Sequence, residues 1–148
     1  MYATGETNIL TLLRSVSGFS STNTSRGDWG ILNSGGSDHY GIIKPGSFSR
    51  SQATMSVNES DFNTVIQVWQ RYKDDGSTLT NLEAHAANII AYFDQYRKIA
   101  DTTNQIPEAF IKQGREVEEM WNKSGGLAWL KWDLILSWQA QQEITYAE

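Results

Sequence analysis

The chain contains no cysteine. Disulfides, a zinc knuckle and a thiol nucleophile are therefore excluded, and any redox compartment would suit it. Only two histidines, His39 and His85, and two prolines, Pro45 and Pro107, are present. With so few imidazoles and no thiols, metal ligands are scarce. Cations are also in short supply: twelve Lys and Arg against seventeen Asp and Glu give a formal charge of −5 and a pI near 5.0. Counterion release needs clustered Lys and Arg, so broad nucleic-acid binding is disfavoured, as is docking on an anionic membrane. DNA could still pass such a wall without sticking to it. No apolar run approaches the ~18–20 residues of a membrane span. No basic stretch followed by an apolar core marks a signal peptide. The Asn-X-Ser/Thr triplets at Asn23, Asn58 and Asn122 then read as chance products of a Ser/Thr/Asn-rich sequence. No G-x-S-x-G, no glycine-rich phosphate loop and no internal repeat is found.

What is present is an ordinary globular mix, 39% apolar and 20% charged over 148 residues, which fits a single domain over 1–148. Six tryptophans are a heavy load, and three of them fall between Leu127 and Gln142. There Ala128, Leu130, Trp132, Leu134, Leu136, Trp138 and Ala140 are apolar at every second position, with Lys131, Asp133, Ser137, Gln139 and Gln141 between them. Period two is the signature of a strand with one greasy face. The run is far longer than the usual roughly 5–6 residues. Such a strand must bend, pair elsewhere in the domain, or pair with another chain.

Ile9, Leu12, Leu13 and Val16 share one helix face, which predicts a helix from about Glu6 to Ser17, ended by Gly18. Ser20 to Asp38 is a long polar loop with an apolar anchor at Trp29-Gly30-Ile31-Leu32. Tyr40 to Lys44 reads as a short strand broken by Pro45-Gly46. Ser47 to Val57 is ambiguous. Phe62 to Tyr72 carries bulk on both parities and reads as a central strand covered on both sides. After the Asp74-Asp75-Gly76 turn, the Leu82, Ala86, Ile89, Phe93, Tyr96 stripe predicts a helix over Thr78 to Lys98, with Thr80 and Glu83 at capping-box spacing. Ala100 to Pro107 reads as a linker. Arg115 to Trp121 then pairs with the tryptophan strand across the turn Asn122 to Gly126. The order predicts an α+β domain: a mainly antiparallel sheet, two helices packed on one face and a long C-terminal β-hairpin.

Candidate chemistry is thin. His85 lies beside the buried helix stripe and reads as structural; Asp38-His39 is the other imidazole site. Glu116, Glu118 and Glu119 form an acidic run, which reads as a solvated edge that blocks strand pairing rather than an acid–base pair. Arg26-Gly27-Asp28 spells an integrin tripeptide and reads as coincidence. No catalytic, cofactor-binding or metal residue is expected. Trp132 and Trp138 belong to the core. Trp129, with Leu127 and Ile135, forms an apolar patch on the face that ought to be wet, and such a patch asks for a partner. The candidate interface is therefore Trp29, Ile31, Leu127, Trp129 and Ile135, with Lys131 and Asp133 between the last three. Trp129→Ala or Ile135→Asp is expected to leave the monomer folded and to lower assembly.

The sequence of elements resembles tail terminator proteins of long-tailed bacteriophages and the related neck (head–tail joining) proteins. The likeness rests on the helix Ile9 to Val16, the phrases Trp29-Gly30-Ile31-Leu32 and Tyr40-Gly41-Ile42-Ile43-Lys44-Pro45-Gly46 after a Ser/Gly-rich loop, the strand Phe62 to Tyr72, the amphipathic helix and the closing Trp-rich hairpin ending Gln141-Gln142-Glu143. It implies an α+β fold without enzymatic activity or cofactor. It further implies a ring, usually a hexamer, that caps the tail tube and offers a docking face to the head-completion or neck protein, while DNA passes through the lumen unbound. The implied location is the virion tail or neck, with the host cytoplasm as the place of assembly. A head-closure or minor tail protein would share this composition. Outside the class stand a small aromatic-rich module for glycans or peptides, and a small hydrolase using Glu116/Glu118 or a His–Asp pair.

Overall fold

The structure, a computed structural model, describes residues 2–34, 36–52, 55, 57–95 and 109–143. Its elements are α1 (Tyr2–Leu13), β1 (Thr24–Arg26), α2 (Ile31–Ser34), β2 (His39–Gln52), β3 (Val57–Arg71), α3 (Thr78–Gln95), β4 (Ala109–Gly114), β5 (Glu118–Trp121) and β6 (Leu127–Glu143). The fold is α+β. The sheet runs β1-β2-β3-β6-β4, with β5 beside β4 along the same flank of β6. Every pairing is antiparallel except the short β1–β2 contact.

β6 is seventeen residues long, and β3 pairs with it without a register break from Arg71↔Trp129 to Val57↔Glu143. The length of the tryptophan strand is thus met inside the chain. Its even parity, Leu130, Leu134, Leu136 and Trp138, joins Phe62, Ile66 and Val68 of β3 in the main core. Ile9 and Leu13 of α1 and Leu82, Ala86, Ile89 and Phe93 of α3 close that core from above. Trp138 stacks on Phe62 at 4.4 Å and donates its indole N–H to Thr64 Oγ1 at 2.9 Å. Gly5 of α1 lies directly on this ring; a Cβ there would meet Cη2 at 2.2 Å.

Several boundaries differ from the sequence reading. α1 begins at Tyr2, ahead of Glu6, and its last turn loosens after Leu13 before Gly18 adopts φ +90°. α3 begins at Thr78, so Thr80 lies inside the helix and caps nothing; Asp75 Oδ1 accepts the Ser77 N–H instead. The α3 stripe ends within the described residues at Phe93, and Tyr96 to Lys98 and the linker 100–107 lie outside them. Pro45-Gly46 bulges β2 rather than ending it, the register slipping between Pro45 and Phe48. β1 accompanies β2 only to Ile43, so beyond that point β2 is an edge among the described residues, where a missing proline N–H costs no ladder bond. Gly46 is needed there because a Cβ would fall 2.5 Å from the Asn63 carbonyl oxygen. The ambiguous segment from Ser47 is therefore strand to Gln52, β3 starts at Val57, and the link between them includes residues outside the described set. Only Glu118–Trp121 of the expected 115–121 strand is strand, while β4 was not expected at all.

Candidate functional site

The sheet's second face is the place where the expected interface falls. Tyr40 and Ile42 of β2 and the odd-numbered residues of β3 and β6 point there, and the loop between β1 and β2 folds across part of it. Tyr40, Ile42, Trp69 and Leu32 of α2 form a second, smaller core, with Ile31, Met120 and Trp129 packed against it. Trp129 meets Tyr40 at 5.8 Å and Trp69 at 6.3 Å, both edge-on, and Arg71 lies 4.5 Å over its ring. The anchor residue Trp29 is 41% exposed, but its indole N–H is fixed on Gln67 Oε1 at 2.7 Å. Lys131 is largely buried over the Trp69 ring, with its ammonium 3.2 Å from Glu118 and 3.6 Å from Asp133. Asp133 is buried between Lys131 and Arg115.

The apolar patch expected from Leu127, Trp129 and Ile135 does not form. Ile135 is only 6% exposed. Leu127 packs against the main core on the opposite side of the sheet. The reason is a register slip: Met120 pairs with Trp129 but Trp121 pairs with Leu127, so one extra residue rotates Leu127 to the other face. Trp129→Ala and Ile135→Asp would therefore strike the chain's own packing, and the expectation that they spare the monomer is withdrawn. Trp29, Ile31, Trp129, Lys131 and Asp133 do come together on one face, as a covered layer with Trp29 at its rim.

No protein-family model matches this chain, and no curated protein matches it.

The function must accordingly be argued from what the surface offers. Apart from Trp29, the large exposed apolar side chains lie elsewhere than expected. Phe48 is 62% exposed and Met55 85%, both at the outer end of the β2–β3 hairpin. Phe110 and Trp121 are exposed on β4 and β5. None of these is among the interface residues expected from sequence, although Phe48 between Ser47 and Ser49 is itself a lone apolar side chain in a polar, extended segment. Trp29 and Trp121 belong to separate elements, and Trp69, Trp129 and Trp138 are covered. The exposed tryptophans thus make no stacking row of the kind a glycan would need.

The two sheet flanks differ. β4 and β5 are short and interrupted by slips; they carry Lys112, Glu118 and Glu119, with Arg115 and Glu116 between them, all defences against casual pairing. β2 past Ile43 has no strand on its outer side among the described residues. Every residue from Ser47 to Gln52 is exposed, and this stretch has one charge, Arg50, and no proline. β3 and β6 continue beside it, Gln52 facing Asn58 and Val57 facing Glu143, so the edge is backed by a three-stranded arm.

The candidate chemical groups find structural partners. Glu118 bonds to Lys131, and Glu116 and Glu119 are exposed. Among the described residues no group of three ligating side chains could hold a metal. Asp38 binds Lys73 at 2.7 Å and lies 3.8 Å from Arg71; the Lys73 hydrogen bond holds its carboxyl below the usual range. The tripeptide Arg26-Gly27-Asp28 is locked: Arg26 pairs with the buried Glu6, and Asp28 accepts the Gly30 N–H. No described helix is long and apolar enough to cross a membrane.

His39 and His85 meet face to face, ring centroids 3.9 Å apart, where β2 touches α3. His39 Nε2 donates to the Gly18 carbonyl, while His85 Nδ1 is buried without a hydrogen-bond partner. Burial, and then the neighbouring His39, lower the His85 pKa to about 4. The unfolded chain, with a pKa near 6.5, binds the proton more tightly, so stability is lost as pH falls between those values and levels off below the folded one. Each pKa unit is worth about 1.4 kcal/mol, and with screening through the exposed part of the ring the net loss is about 2 kcal/mol. Urea melts of the wild type and His85→Gln between pH 7 and 4 should show the wild type losing that much more; parallel curves would refute the burial of a neutral ring.

Proposed function

We propose that the chain is a structural assembly protein of a long-tailed phage virion, a ring-forming subunit of the tail terminator kind that caps the tail tube and faces the neck. Two helices over one sheet face and a long closing hairpin are the arrangement this reading expects. A head-closure or minor tail role has the same requirements. The observation that carries self-association is the outer edge of β2: from Lys44 to Gln52 its backbone lacks a neighbouring strand among the described residues, and Phe48 stands exposed on it. An edge of this length and low charge is a template for another strand. A ring is closed by one patch meeting a different patch on the next copy. An acidic subunit suits a lumen through which DNA slides without being held. No catalytic step is assigned to it.

Mass photometry and negative-stain imaging of the purified chain, with and without tail tubes, test the reading. Annular particles or capped tube ends support it; a chain that stays monomeric and leaves tube ends bare overturns it. Phe48→Asp alters a largely exposed position whose ring meets Phe62 at 6.1 Å, and should cost no more than about 1 kcal/mol. It is expected to lower the assembled fraction while the melting midpoint falls by only a few degrees. Unchanged sedimentation of this variant beside an assembling wild type would remove the β2 edge from the interface.

A further inference from the structure

On the sheet face opposite α1 and α3, between the two strand irregularities, lies a half-open cleft of about 160 Å³. The slip between Pro45 and Phe48 on β2 and the slip between Ile111 and Gln113 on β4 flank it. Bulges bend strands and re-aim side chains, which gives a sheet a local hollow. Val65 and Ile135, both almost fully buried, form an apolar floor. Ser47, Asn63, Lys112 and Arg115 stand around it.

The charge of this cleft runs against that of the chain. Two cations line it and no acid does, in a protein of net charge −5. No acid among the described residues pairs with Lys112. Arg115 reaches Asp133 only at 3.9 Å, and Asp133 lies nearer to Lys131, at 3.6 Å. Most of the five guanidinium N–H donors are thus left for another acceptor. Ser47 accepts a hydrogen bond from Asn63 Nδ2 at 2.8 Å and so keeps its own proton to give.

We propose that this cleft is a carboxylate-binding site that takes a glutamate or aspartate side chain from an acidic segment of a partner polypeptide. Size and charge select that ligand. A drug-sized molecule needs roughly 300–1,000 Å³, well above what is here. A phosphate dianion would place a second charge over an apolar floor with one cation already shared, where an under-compensated charge costs most. A side-chain carboxylate brings one charge for the cations and a methylene stem for Val65 and Ile135. The site stands whether or not the chain assembles into rings.

The test is a fluorescence-anisotropy titration of labelled, end-blocked hexaglutamate with the full chain. Lys112→Gln and Arg115→Gln are each expected to weaken binding roughly tenfold, the loss of one charge-assisted hydrogen bond. Lys123→Gln, the same charge change in the exposed β5–β6 turn, is expected to stay within about twofold. The Lys112 side chain makes no hydrogen bond or ion pair among the described residues, so its variant is decisive even where Arg115→Gln disturbs Asp133. The proposal falls if hexaglutamate does not bind, if Lys112→Gln and Lys123→Gln behave alike, or if inorganic phosphate at matched ionic strength displaces the peptide better than acetate does.

Discussion

Trp138→Ala is expected to cost about 4 kcal/mol, the largest single loss in the main core. The indole is 1% exposed and is held by both β3 and α1. Phe62 stacks on one side of it, Gly5 of α1 lies against its edge, and Thr64 accepts its N–H. Truncation removes the transfer free energy of a whole indole and leaves a cavity, which together cost about 3–5 kcal/mol. Thr64 Oγ1 is then buried without its donor, a further penalty on the order of 1 kcal/mol. Relaxation of α1 toward the gap offsets part of this. Against a total stability of about 5–15 kcal/mol, the variant would keep only a narrow margin. Thermal and urea unfolding measure it, and at about 2–4 °C per kcal/mol the midpoint should fall by roughly 10 °C. Trp138→Phe retains an aromatic plane and loses the N–H, so it should lie between the two. A loss of under about 1 kcal/mol for the alanine variant would mean that the α1–β6 contact is not made. Beyond Trp138, β6 has only β3 beside it among the described residues, so loosening this ring also loosens the root of the three-stranded arm. The assembled fraction should fall with it.

How much of this could be read from the residues depended on how far apart the deciding contacts lie. The Leu82, Ala86, Ile89, Phe93 stripe and the even parity of β6 are local patterns, and both landed in the main core. The both-sided bulk of Phe62 to Arg71 likewise identified a strand between two packed layers, though Tyr72 falls outside it and is exposed. β1 has no such pattern. Thr24-Ser25-Arg26 is polar throughout and is strand only because Asn23 and Gly27 exchange backbone hydrogen bonds with Gly41 and Ile43. β4 escaped notice because its alternation, Ala109 and Ile111 toward the core with Phe110 outward, is cut after three residues by a slip. The interface expectation failed for the same kind of reason. Parity counted through position 128 puts Leu127 with Trp129, whereas one extra residue in the β5–β6 pairing separates them. Coverage of Ile135 was invisible because it comes from neighbouring strands more than twenty residues away and from side chains at a bulge. The cleft is built from those same bulges, so its cations could be counted in the sequence but not brought together.

The ion pair under the first loop was equally hidden, and it carries the second large effect. Glu6 is fully buried in α1, and its Oε1 accepts from Arg26 at 2.7 Å and 2.8 Å, while Oε2 has no partner. Burial pushes the Glu6 carboxyl above its ordinary pKa, and the Arg26 hydrogen bond and charge pull it back. Arg26→Met keeps most of the aliphatic stem and removes the charge. At neutral pH the lone buried carboxylate should then cost about 3–5 kcal/mol. The sign of the pH dependence follows from the raised folded-state pKa. Protonated Glu6 has little to lose by burial, so the deficit is small below the unfolded value near 4.5 and grows as pH rises through the higher folded value. Most destabilised variants weaken further in acid; this one should recover relative to wild type as the pH is lowered from 7 toward 4. Adding Glu6→Gln should restore a large part of the stability at pH 7, because an amide costs far less to bury than a charge. Urea midpoints of the wild type, the single variant and the double variant across that range decide the matter. A deficit that does not change with pH, or a double variant no better than the single one, would show that Arg26 acts by packing alone. A confirmed pair would also give the Arg26 guanidinium of the Arg26-Gly27-Asp28 tripeptide a structural role: it holds β1 to the first helix.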